Sequence, residues 1–131
     1  MIKIATFTVP GNPKPKERPR FGRGRGYTTE ATRAAEARVA SSFREQLGMR
    51  HTIESPVTGD LRVVARFYRK NLVAADTDNL YKLLTDALNG IAWVDDKQIK
   101  SIRADQTIDR DQPRTEVEIW ALGDWSNDHA V

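Results

Sequence analysis

Two periodicities divide the chain. Residues 2–9, Ile-Lys-Ile-Ala-Thr-Phe-Thr-Val, are rich in β-branched side chains and predict a strand. Pro10, Gly11, Pro13, Pro15 and Pro19, followed by Gly22, Gly24 and Gly26, exclude regular structure and predict a long irregular loop over 10–27. Beyond it Ala31, Ala35, Val39, Phe43 and Leu47 recur every four residues, the stripe of an amphipathic helix over 30–47. Thr28 or Thr29 can cap it, Glu30 suits its first turn and Gly48 its end. A loop with Pro56 and Gly59 leads to an alternating strand over 60–69. Leu61, Val63, Ala65 and Phe67 share one face there, and Arg62, Arg66 and Tyr68 point the other way. The strongest helical signal follows at 78–89, where Leu80, Leu83, Leu84, Ala87 and Leu88 keep helical spacing until Asn89-Gly90 stops it. Two strands are predicted at 99–108 and 114–121, joined by a polar turn from Asp109 to Pro113. The order is β-α-β-α-β-β: one α/β domain over 1–122, with helices packed on a mixed sheet. The tail, 123–131, has no periodicity and is expected to be flexible, and Trp125 within it has no assigned place.

Composition narrows the chemistry. At 131 residues, 39% hydrophobic and 30% charged, the chain suits a single globular domain that buries roughly two-thirds of its unfolded surface. It has no cysteine, which excludes disulfides, zinc–thiolate sites and thiol nucleophiles. Its two histidines, His51 and His129, are too scattered for a histidine-rich metal site. Any metal must therefore rest on oxygen ligands, which favours hard cations. No apolar run is long enough for a transmembrane helix, and Met1-Ile2-Lys3-Ile4 lacks a signal-peptide pattern, so a cytoplasmic chain is expected. The net charge is +3, and its distribution matters more: Lys14, Lys16, Arg18, Arg20, Arg23 and Arg25 stand against the single acid Glu17. Such a patch either meets phosphate or is a plain solvated loop, and charge leaves both open.

The candidate chemistry lies in Asp76-Thr77-Asp78-Asn79-Leu80-Tyr81-Lys82, then Asp86, then Trp93-Val94-Asp95-Asp96-Lys97-Gln98-Ile99. Asp76 and Asp78 are two apart in a segment expected to be extended, so both carboxylates point the same way and repel unless a cation sits between them. Asp78 is also a natural N-cap for a helix starting at Asn79. Lys82, one turn on, either pairs with Asp78 as a weak surface salt bridge or serves a phosphate; spacing favours the pair. Asp86 reads as an ordinary solvated residue. Of Asp95 and Asp96 only one can reach the site, because adjacent side chains diverge; the other caps the turn into Lys97-Gln98. Three carboxylates and a lysine are the parts of metal-assisted phosphodiester hydrolysis, with a basic loop to bring in the polyanion.

These residues resemble the signature of the RusA family of Holliday junction resolvases, Asp-x-Asp-Asn-x-x-Lys, then Asp-Ala-Leu, then Asp-Asp-x-Gln-[Ile/Val]. Val9-Pro10-Gly11 through Lys16-x-Arg18-Pro19-Arg20-Phe21 is also similar to the opening of many members, so that the resemblance covers about residues 2–121. It implies a small α/β, Mg²⁺-dependent homodimer (Mn²⁺ a substitute), often encoded by phages or prophages. Such enzymes make paired nicks across four-way DNA junctions in recombination and repair. It also implies that Asp76, Asp78 and Asp96 bind the metal and that Lys82 is the essential lysine, choosing Asp96 over Asp95. The segment before Asp76 departs from the arginine run of many members, reading Arg69-Lys70-Asn71-Leu72-Val73-Ala74-Ala75. DNA contacts are then expected from the basic loop: Lys14, Lys16, Arg18, Arg20, Arg23 and Arg25. Two rival readings exist. A non-catalytic branched-DNA-binding protein would use the basic loop, but clustered carboxylates would weaken its affinity. A nucleotide-sugar transferase would use Asp76-x-Asp78, but the chain is short and lacks a glycine-rich phosphate loop.

Overall fold

Alternation along three strands builds an apolar sheet face, and two helices cover it. The computed structural model describes residues 1–17, 20–22, 25–48, 56–71 and 75–123, with the backbone alone at Arg20, Phe21, Arg25, Tyr27 and Gly48. The elements are β1 (Ile2–Pro10), β2 (Arg20–Gly22), β3 (Arg25–Tyr27), α1 (Glu30–Gly48), β4 (Leu61–Arg69), α2 (Thr77–Leu88), β5 (Ile99–Ile108) and β6 (Arg114–Ala121). The main sheet has the order β1-β6-β4-β5. Only β4 and β5 run parallel, as the α2 crossover between them requires; β6 is antiparallel to both β1 and β4. The expected β-α-β-α-β-β order and mixed sheet are therefore present.

One expectation is corrected. The basic segment is not irregular throughout, because β2 and β3 pair antiparallel through Arg20↔Tyr27, Phe21↔Gly26 and Gly22↔Arg25. The prolines that argued against regular structure all precede this hairpin, and glycine inside a two-stranded ribbon removes no ladder hydrogen bond. Trp125, His51 and His129 lie outside the described residues, as does most of the tail.

The covered face carries Phe7 and Val9 of β1, Leu61, Val63, Ala65 and Phe67 of β4, and Val117 and Ile119 of β6, all buried. Phe7 meets Phe43 of α1 edge to face, with ring centroids 5.5 Å apart. From α2, Leu80, Leu83, Leu84, Ala87 and Leu88 fill the same core. Thr29 is the α1 cap: its hydroxyl oxygen accepts from the Thr32 amide at 3.2 Å. Gln46 of α1 reaches the edge strand β1, accepting from the Thr8 amide and donating to its carbonyl, so these two edge groups are satisfied. Gly90 takes a positive φ of 78° just past α2, where Asn89 is the C-cap. Among the described residues no helix is long and apolar enough to cross a membrane.

β5 is the other edge, and its start is irregular in a useful way. Ile99 pairs with Leu61, but Ser101 pairs with Arg62, so β5 carries one extra residue at Lys100. A bulge resets the side-chain alternation. Ile99 and Ile102, three apart, thus line one cleft beside α2.

Candidate active site

Helix α2 and the turn before β5 carry the acids, and each acid has a different local role. The helix starts at Thr77, with Asp76 as N-cap. The Asp76 carbonyl accepts from the amides of Asn79 and Leu80, while its carboxylate makes no cap hydrogen bond. Asp78 is therefore not the cap; it is a first-turn residue, where a carboxylate is favoured by the helix dipole. The period-two argument falls with it, because only Asp76 still has extended dihedrals and residues two apart on a helix diverge. Both carboxylates are exposed. Helical spacing sets Asp78 on the same side of α2 as Tyr81, Lys82 and Thr85.

The turn after α2 separates the two adjacent aspartates. Asp95 caps a single 3-10 turn, Asp96–Gln98, in a reciprocal capping box with Gln98. Gln98 accepts from the amides of Val94 and Asp95 and donates to the carbonyls of Val57 and Gly59, which sews the turn to the loop before β4. Asp96 is left to face α2. The indole N–H of Trp93, a fully buried side chain, donates to Asp96 Oδ1 at 2.7 Å. Asp96 then lines a cleft of about 140 Å³ with Tyr81, Thr85, Ile99 and Ile102. Burial first, and the negative charge of Asp96 second, push the Tyr81 phenol well above its ordinary pKa of 10.0, so it stays protonated.

Lys82 is open to solvent, with its side chain 61% exposed, and pairs with Asp86 at 3.6 Å rather than with Asp78. Asp86 is not a bystander. It also holds Lys16 at 3.2 Å, and Lys16 in turn reaches Glu36 of α1 at 2.6 Å. Burial alone would lower the Lys16 pKa, but the hydrogen bonds to Glu36 and Asp86 outweigh it and raise it above 10.5. The Lys16 amide donates to the Asn79 carbonyl at 2.9 Å. This member of the basic patch thus anchors the loop to both helices, where a free phosphate contact was expected. Lys14 is exposed. Arg20 and Arg25 sit on β2 and β3, and Arg18 and Arg23 lie outside the described residues.

Among the described residues no three acidic or histidine side chains stand close enough to hold a metal ion between them. The donor chemistry still suits a hard cation. Asp76, Asp78 and Asp96 offer oxygen only, and Mg²⁺ is commonly held by one or two carboxylates, waters and a substrate phosphate instead of a protein cage. Sequence reasoning passed over Tyr81, Trp93 and Glu36. Trp93 had a signal, since an indole three residues before an acid in a turn can reach it; Glu36 had none, because its partner lies 20 residues away.

Over most of its length, residues 10–120, the chain matches the family model of the endodeoxyribonuclease RusA. No curated protein matches.

Proposed function

The chain belongs to the RusA endodeoxyribonuclease family, and from that premise we propose that this nuclease resolves four-way DNA junctions as a Mg²⁺-dependent homodimer, in recombination and repair. The observation that carries the reading is the signature itself. Asp76, Asp78, Lys82 and Asp96 all fall inside the matched segment, and Asp96 is oriented toward α2 by Trp93 while Asp95 is occupied as a cap.

Asp78 and Asp96, with Asp76 at the helix start, are the residues that would hold the cation. A divalent ion bound there supplies Lewis-acid activation of water and stabilises charge on the phosphoryl oxygens. Lys82 contributes a positive charge to the scissile phosphate, and Asp86 orients that lysine from one turn below. Lys14, Arg18, Arg20, Arg23 and Arg25 contact the backbone of the junction arms, while Lys16 fixes the loop that carries them. Two copies related by a two-fold axis would present one site to each of two strands, matching the symmetry of a four-way junction.

The test is cleavage of a synthetic four-way junction by the purified protein with Mg²⁺. Wild type should introduce paired nicks, and Asp78→Asn should lower the rate by about 100-fold or more. Undiminished cleavage by Asp78→Asn would refute the assignment of this site.

A further inference from the structure

The Tyr81 hydroxyl oxygen is buried and has no hydrogen-bond partner among the described residues. An unmet buried O–H is costly, typically about 1–3 kcal/mol, and phenylalanine would fill the same space without that cost. Tyr81 lies on the wall of the α2–β5 cleft beside Asp96, one helical turn after Asp78. The cleft's other hydroxyl is engaged elsewhere: Thr85 donates back into its own helix, toward the carbonyls of Tyr81 and Lys82. Asp96, whose Oδ1 accepts from Trp93, lines the same cleft. Ile99 and Ile102 complete the wall and offer no polar atom of their own side chains. The cleft's volume of about 140 Å³ is several times what one water needs, which leaves room for a larger polar group beside Asp96 once the Tyr81 ring turns its hydroxyl toward it.

From this arrangement we propose that Tyr81 is a further catalytic residue. Its hydroxyl donates to a non-bridging oxygen of the scissile phosphate when that group enters the cleft beside Asp96. The inference rests on the nuclease reading of the site and adds to it the one neutral donor that the cleft offers. A neutral donor stabilises the developing charge without competing with the cation for the carboxylates.

The experiment compares wild type with Tyr81→Phe, a change of one oxygen atom that leaves the ring's packing intact. Three quantities are read: single-turnover cleavage of a four-way junction, junction affinity with Ca²⁺ in place of Mg²⁺, and thermal unfolding without DNA. Cleavage should slow by about tenfold or more while affinity changes little. The melting temperature should hold or rise, because an unsatisfied group has been removed. The deficit should also shrink on one diastereomer of a phosphorothioate at the scissile position, since sulfur is the poorer acceptor. Equal cleavage by the two proteins overturns the inference and leaves the nuclease reading standing. A lower melting temperature also overturns it, by showing that the hydroxyl is bonded within the free protein. A wild type that cuts no junction overturns both.

Discussion

Trp93 gives its indole N–H to Asp96 and is itself fully buried, so the orientation of this carboxylate is set by the core. If Asp96 holds the cation as proposed, Trp93→Phe should keep most of the packing, free Asp96 to rotate, and lower junction cleavage by about 10- to 100-fold. Circular dichroism should show the fold retained; unchanged cleavage would show that Asp96 needs no such support. The pair Asp95-Asp96 also shows how far single residues can be read. Strand geometry makes the two side chains diverge and leaves one of them for a turn cap, the role Asp95 performs. That Asp95 is the cap and that Asp96 takes the indole N–H depend on contacts that spacing alone does not fix. Glu118 gives a prediction of a different kind. Its hydrogen bond from Arg66, at 2.6 Å, holds its carboxyl below the ordinary 4.5, against the opposing effect of burial. A lowered folded-state pKa means stability that is fully present above the ordinary carboxylate value and is lost as pH falls through the lowered one. Melting temperatures measured from pH 6 down to pH 2 should therefore fall less steeply on the acid side for Glu118→Gln than for wild type.

α2 was the most legible element, because five leucine and alanine positions mark its buried face and Asn89-Gly90 marks its end. Its cap lies two residues before the one composition suggests, with Asp76 in the cap position and Asp78 inside the first turn. An N-cap is decided by backbone dihedrals, and both aspartates satisfy the compositional preference. The face opposite the leucines was harder to read, since Asp86 binds Lys16 from a loop 70 residues earlier as well as Lys82 from its own helix. Two predictions belong to this element. Leu84→Ala should cost about 2–5 kcal/mol in denaturant unfolding, because Leu84 is only 1% exposed and its loss removes buried apolar contacts and leaves a cavity. Lys16→Ala should lower the melting temperature by separating the loop from α1 and α2, with little effect on the salt dependence of DNA binding. A salt dependence that drops as much as for an exposed lysine would show that Lys16 contacts phosphate after all.

At the scale of the whole molecule, the helices cover one face of the sheet and leave the other to charged and aromatic pairs. Arg66 binds Glu118 there, and Arg114 stacks 3.9 Å from the Tyr68 ring centroid. The alternation along β4 and β6 announced this division, and with it the fold class. The small β2–β3 hairpin was not announced, because short glycine-containing strands lack an apolar face to betray them. Lys14 is exposed and stands outside the Lys16 network. Removing Lys14 should reduce the slope of log affinity against log salt by about one, uniformly across DNA sequences. The most direct test of the account as a whole is an anomalous difference map from crystals of the protein with junction DNA and Mn²⁺. The account predicts a metal peak within coordination distance of Asp96 and Asp78 and beside a phosphate. Crystals whose enzyme cuts DNA in Mn²⁺, yet whose map holds its only metal away from both carboxylates, would contradict it.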